Sequence, residues 1–170
     1  MSDEEITLKV ATITDAGPVL DLLRQINQET NVVMIPQLSS LSVADEEMSL
    51  AEIDQRSDCF VLLAMLGKQP VGIVTVTKLN GSANAGELGV AVLKQFWNQG
   101  IGSLLVDEAI YWYENFSTLE HLVLDVFADN PRAIHLYEKF AFTQTDQTKE
   151  QDANGQERPA ILMEYGGSDS

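Results

Sequence analysis

Two stretches of this chain carry residues whose types and spacing suit chemistry. The first, Trp97-Asn98-Gln99-Gly100-Ile101-Gly102-Ser103, lies where a strand and a loop give way to a helix. Glycines ahead of a helix let backbone amides approach a ligand, and the unsatisfied N–H groups and dipole of a helix start favour an anion. Charge placement agrees with that reading. From Leu88 to Val106, nineteen residues pass without an Asp or Glu in a chain that has 26 of them, although the first turn of a helix ordinarily welcomes acids. The second stretch is Asn130-Pro131-Arg132-Ala133-Ile134-His135-Leu136-Tyr137. Asn130 reads as a helix cap with Pro131 in the first position, and Tyr137 lies two turns on, on the same face. Two carboxylates complete the set. Asp125 sits inside the apolar run Leu122-Val-Leu-Asp-Val-Phe127, an unusual place for an acid, and Glu87 opens another strand.

Several chemistries are excluded or disfavoured. A Walker loop needs Gly-Lys-Ser/Thr, and Gly102 is followed by Ser103 and Leu104. A dinucleotide site would use strand, Gly-x-Gly, helix and strand, with Asp125 on a ribose. However, Leu105 stands at the third glycine position, six loop residues precede the glycines, and Asp125 lies inside its strand. Cys59 is the one cysteine and His121 and His135 the only histidines, so no disulfide, thiolate cluster or multi-histidine metal site is expected. The net charge of −16 repels nucleic acid and anionic membrane and mildly attracts a cationic partner. No apolar run is long enough to span a bilayer, and the start Met1-Ser-Asp-Glu-Glu is acidic, unlike a signal peptide. The cytoplasm is the expected compartment.

The elements that must position these residues follow from periodicity. With 170 residues and 45% hydrophobic composition, the chain reads as one globular domain over residues 1–165 with a frayed tail at 166–170. Ile6–Thr12 alternates as a strand, and Thr14 or Asp15 caps a helix to about Gln28. Asn31–Val43 reads as irregular and Asp45–Gln55 as a short helix. Cys59–Leu66, Val71–Leu79 and Glu87–Leu93 are strands joined by turns. Gly102–Phe116 is a helix whose apolar side includes Ile101, Leu104, Leu105, Ala109, Trp112, Tyr113 and Phe116. Leu122–Ala128 is a strand, the Asn130-capped helix runs to Phe140, and Phe142–Thr148 and Ala160–Tyr165 are a last pair joined by a polar loop over Lys149–Pro159. The order β α α β β β α β α β β predicts a mixed α/β sheet, mostly antiparallel and flanked by helices.

Together the two stretches resemble the GNAT superfamily of acyl-CoA-dependent N-acetyltransferases, over nearly the whole chain. The family's pyrophosphate loop, Arg/Gln-x-x-Gly-x-Gly/Ala, is similar to Trp97-Asn-Gln-Gly100-Ile-Gly102, with Trp97 in place of the usual Arg or Gln. Its second signature is similar to Asn130, Ala133, Leu136, Tyr137 and Phe142, with Ala141 where the family has glycine. The resemblance implies acetyl-CoA as cosubstrate and direct transfer to a primary amine in a ternary complex. It implies that Trp97 to Ser103 and Asn130 hold the cofactor and that Val90 and Val92 line its arm. It further implies Tyr137 as the acid that protonates the leaving thiolate, and Asp125 or Glu87 as the base. The acceptor, a small-molecule or peptide amine, would be chosen by the first helices and the loop Glu29–Ser42. The family's habit of dimerising makes a homodimer an expectation of the resemblance alone. The alternatives are a CoA-binding sensor that has lost transfer and, further off, a dinucleotide-dependent oxidoreductase.

Overall fold

Among the described residues, strands and helices follow one another as β1 (Ile6–Val10), α1 (Ala16–Glu29), α2 (Val43–Asp54), β2 (Phe60–Leu66), β3 (Gln69–Lys78), β4 (Ala85–Val92), α3 (Ile101–Asn115), β5 (His121–Phe127), α4 (Pro131–Lys139), β6 (Phe142–Gln151) and β7 (Glu157–Tyr165). The computed structural model describes residues 5–29, 41–81, 83–152 and 154–166. The expected irregular segment Asn31–Val43 lies largely outside them, as does the tail beyond Gly166.

The strands form one sheet in the order β1-β2-β3-β4-β5-β7-β6. Every pair is antiparallel except β4 with β5. That parallel pair needs a crossover, which α3 supplies over the sheet. β4 follows β3 from Gly72↔Val92 to Lys78↔Gly86, yet meets β5 only over Ala85–Glu87 against His121–Val123. β5 stays with β7 from Val123 to Phe127. The sheet therefore opens between Leu88–Val92 and Leu124–Phe127.

The point of parting is fixed from one side. Asn84 O accepts from the N–H groups of Glu120 and His121 at 2.8 and 3.1 Å, and its amide donates to Thr118 O at 2.6 Å. Gly86 is packed so tightly that a Cβ there would meet Leu119 Cδ1 at 2.5 Å and Val76 Cγ1 at 2.8 Å. The central strands are buried on both faces, which is why they read as continuous apolar runs.

Local details depart from the sequence expectations in traceable ways. The first helical stretch is capped by Thr12, not by Thr14 or Asp15. Asp15 instead accepts the Thr12 N–H at 2.8 Å across a 3₁₀ turn, Ile13–Asp15. α2 starts two residues early because Ser42 and Asp45 exchange side-chain-to-backbone bonds. On α3, Leu104 and Phe116 were expected in the core but are 47% and 64% exposed. Leu104 lies on the far side of the stripe formed by Ile101, Leu105, Val106 and Ala109. Phe116 falls beyond the last turn and rests on Tyr111. The expected loop Lys149–Pro159 is mostly strand, with β6 and β7 paired out to Gln151↔Glu157. Gly166, expected to fray, donates its N–H to Ala141 O at 2.8 Å.

Ala141 joins α4 to β6 with φ of 69°, the left-handed region that costs a non-glycine residue about 1–2 kcal/mol. Ala141→Gly removes that strain and returns part of it as unfolded-chain entropy. The expected result is a net stabilisation of up to about 1 kcal/mol and a rise in Tm of roughly 2–4 °C, read by thermal denaturation. An unchanged or lowered Tm would show that this turn holds no strain.

Candidate active site

A cavity of about 600 Å³ runs beside the open edge of β4. Its walls are Val90–Val92, the loop Phe96–Asn98, the first turn of α3 and one face of α4. Of the residues read from sequence, Val90, Val92, Trp97, Asn98, Gly100, Ile101, Gly102, Ser103, Asn130 and Tyr137 line it. Gln99 does not line it, and its amide turns towards Gln95 O at 3.5 Å.

The loop is built to bring backbone to the cavity. Asn98 and Gly100 take positive φ, 64° and 81°, and Gly100 caps α3 without any side-chain bond. The N–H groups of the first helical turn thus have no partner within the helix. A Cβ at Gly102 would meet only Leu136 Cδ2, at an ordinary 3.5 Å. The absence of a side chain there is not demanded by the protein's own packing. Trp97 holds the loop to the open strand: its Nε1–H donates to Val92 O at 2.7 Å, and the Arg132 guanidinium lies 4.1 Å from its ring centroid. Arg132, His135 and Lys139 line the cavity from α4, and Lys139 Nζ donates to Ser103 Oγ at 3.2 Å. This end of the site is positive and acid-free apart from Asp129, whose carboxylate is paired with Arg158. His135 is exposed and stands at this rim. Asn130 Oδ1 accepts the Ala133 N–H at 3.3 Å and caps α4 as the sequence implied.

Tyr137 closes the other end. It is 6% exposed, packs edge-on against Phe142 and lines the cavity. Burial first, and then the charge of nearby Asp125, push its pKa well above that of an ordinary phenol. Asp125 and Glu87 do not line the cavity but lie next to its Tyr137 end. Glu87 pairs with Val123 in register, and Asp125 is two residues on, so both point to one face of the sheet. Both are half-buried.

A third carboxylate joins them. Asp125 opposes Leu162 and Ala160 opposes Thr148, which places Glu150 on that same face by the period of two. Asp125 raises the pKa of both Glu87 and Glu150. Burial, then Asp125, raises the pKa of Glu87. The contact with Asp125, then burial and the charges of Asp125 and Glu87, push Glu150 up to about 7. Sequence reading missed Glu150 because it placed residue 149 onward in a loop. Asn154-Gly155, a strong hairpin signal between two alternating runs, was the clue that would have extended the strands.

Comparison with known proteins follows this geometry. Residues 21–142 match the Acetyltransferase (GNAT) family. An L-amino acid N-acetyltransferase of Escherichia coli, AaaT, is 25% identical over 140 residues, covering 81% of this chain and 83% of that protein. A spermidine N(1)-acetyltransferase of Vibrio cholerae is 25% identical over 77 residues, 45% of this chain and 44% of that one. The solved structure of a GNAT-family acetyltransferase from Streptococcus pneumoniae superposes with a TM-score of 0.87 at 28% identity, covering 94% of this chain and 98% of that one.

The carboxylate trio has a consequence for stability. In the unfolded chain Glu150 titrates at its ordinary 4.5, and in the fold at about 7. Between those values the folded state holds more protons, so the protein loses stability as pH rises through about 7. Glu150→Gln removes the like-charge contact. Its Tm should exceed the parent's at about pH 8, by a few degrees, and the gain should shrink as pH falls towards about 5. A gain that does not vary with pH would mean the three groups do not share charge.

Proposed function

The chain belongs to the GNAT acetyltransferase family, and we propose that it moves the acetyl group of acetyl-CoA to a primary amine by direct attack in a ternary complex. The observation that carries this reading is Tyr137. Its side chain, packed against Phe142, lines the cavity where the helix start and the open strand edge meet. The domain is residues 1–165, acting in the cytoplasm. The acceptor is a small-molecule amine, a class supported by the names of the two curated relatives.

The first turn of α3 supplies N–H groups and positive potential for the pyrophosphate, with Arg132 and Lys139 adding charge at the rim. The unpaired edge of Val90–Val92 receives the pantetheine arm, and its N–H groups stabilise the oxyanion as the thioester carbonyl is attacked. The amine enters as an ammonium and gives a proton to Asp125 or Glu87, directly or through water. Its nitrogen then forms the new C–N bond while the C–S bond breaks. The departing thiolate takes the Tyr137 proton, and the phenolate regains one as the nitrogen of the new amide sheds its second proton, relayed through water. The products are the N-acetylamine, CoA thiol and one proton. Because the pKa of Tyr137 is raised, the phenol remains protonated at any working pH, as an acid must.

An inactive CoA-binding sensor predicts carboxylates turned to solvent. The half-buried positions of Glu87 and Asp125 favour the enzyme instead.

Two variants test the reading. Gly102→Asp fits the fold, since its Cβ has room, but sets a negative charge against the pyrophosphate. Calorimetric titration should show most acetyl-CoA affinity lost with Tm little changed, and unchanged affinity would move the cofactor elsewhere. Tyr137→Phe keeps the ring against Phe142. It should leave acetyl-CoA affinity and Tm nearly intact and lower kcat by roughly 10²–10⁴, a loss that shrinks with an acyl donor whose thiol leaves more easily. A kcat close to the parent's would reduce Tyr137 to a core residue.

A further inference from the structure

Glu29 stands where an acid is disfavoured twice. It is the last residue of α1, at the negative end of that helix's dipole, and among the described residues no Lys, Arg or His forms an ion pair with it. It also lies one helical turn beyond Ile26, which lines the cavity, so its charge opposes an anion bound there. What Glu29 gains is a bond to another element. Its Oε1 accepts the Lys94 N–H at 2.8 Å, and Gln25 Nε2 donates to its Oε2 at 3.3 Å, which orients the carboxylate. Lys94 opens a 3₁₀ turn, Lys94–Phe96, that follows β4, and Leu93 before it offers no side-chain cap. Glu29 supplies that cap from α1. The turn's two ends are fastened elsewhere. The Leu93 N–H donates to Val71 O at 2.9 Å, and Trp97 reaches Val92 O and Arg132.

We propose, on the basis of the acetyltransfer reading above, that Glu29 is a positioning residue for the cosubstrate. It holds the turn Lys94–Phe96, and through it Trp97, in the conformation that receives acetyl-CoA. Phe96 and Trp97 both line the cavity. The Trp97 N–H donates to Lys94 O at 3.1 Å, so a shift at Lys94 is passed to the indole that ties the glycine loop to the open strand edge. The middle of the turn is exposed at Lys94 and Gln95, and such a segment opens locally without unfolding the core. A turn that is competent only part of the time lowers the apparent affinity by that fraction. The sign of the effect separates this role from plain charge. If Glu29 acted only as a negative charge beside an anionic ligand, deleting it would tighten acetyl-CoA binding. If it holds the turn, deleting it weakens binding.

The full-length protein and its Glu29→Ala, Glu29→Gln and Asp21→Ala variants are titrated calorimetrically with acetyl-CoA. Tm and the hydrogen exchange of the Lys94 amide, read by NMR, are measured on each. Glu29→Ala should weaken acetyl-CoA binding roughly five-fold, the worth of one hydrogen bond, and speed exchange at Lys94. Its Tm should hold or rise slightly, because alanine suits a helix end better than an acid does there. Glu29→Gln keeps an oxygen for the Lys94 N–H and should restore affinity to within about two-fold of the parent. Asp21→Ala, which removes an exposed acid from the same helix, should not weaken binding. Unchanged or tighter binding in Glu29→Ala would overturn the positioning role while leaving the acetyltransfer reading in place. So would a Glu29→Gln variant as weak as Glu29→Ala, an equal weakening in Asp21→Ala, or Lys94 exchange that does not respond. A fall in Tm in proportion to the lost affinity would make Glu29 merely structural and overturn it too. A parent protein that does not bind acetyl-CoA would overturn the acetyltransfer reading itself, and the role of Glu29 with it.

Discussion

The parting of β4 from β5 after Glu87 governs everything else in this molecule. A strand inside a sheet normally satisfies its peptide groups on both sides, and a half-buried strand that does not must find other partners. Leu88–Val92 keeps β3 on one side and has no strand on the other. Closing the gap would require moving β5 off β7, to which it is paired over five residues. The vertex cannot slide either, because Asn84 bonds across it and Gly86 leaves no space between Leu119 and Val76. The open edge is therefore a fixed row of donors and acceptors. Trp97, through Val92 O, satisfies the end of that row and ties the glycine loop to it, so the start of α3 and the strand edge share one rigid frame.

Charge is sorted along that frame. The α3–α4 end carries Arg132, Lys139 and unpaired helix N–H groups, while the β4–β5–β6 end carries three carboxylates. The chain has only ten Lys and Arg residues, so placing two on one short helix facing the cavity is a concentrated use of them. An anionic ligand portion and a cationic one would each be drawn to opposite ends, with Tyr137 between. The same sorting explains why the first turn of α3 lacks the acids that most helix starts attract.

Much of this was legible in the residues. The Asn130 cap, Pro131 and Tyr137 follow from local rules that tertiary context does not override, and the structure places them as read. The glycine loop was legible because backbone approach leaves a compositional trace. Glu150 was not, since its relation to Asp125 arises two strands away through β7. That relation also depends on a bulge between Gln144 and Asp146, which sets which residues of β6 share the face of Asp125. No local pattern encodes a bulge in a polar strand. Leu104 misled for the opposite reason: a leucine near an apolar stripe counts towards periodicity even when it points away from the sheet. Ala141 was flagged as a departure from the family's glycine. The structure shows the chain adopting the left-handed turn regardless, held by the Gly166 N–H on Ala141 O.

Under the mechanism proposed above, the charge of Asp125 near Tyr137 would link acceptor binding to catalysis. The Asp125 charge adds to burial in raising the phenol's pKa, and under the proposed mechanism that makes Tyr137 a less ready donor to a thiolate whose thiol titrates near about 8.5. A cation seated among the carboxylates cancels part of that charge and lowers the phenol's pKa towards its ordinary value, improving the match between donor and leaving group. Water entering without an amine brings no such charge. The acid would then be strongest only when the proper acceptor is bound, and the thioester would be protected from hydrolysis while the enzyme waits. The arrangement requires no moving lid. It needs only that the proposed acid and a proposed base sense the same charge, and the Asp125 charge does act on the Tyr137 hydroxyl.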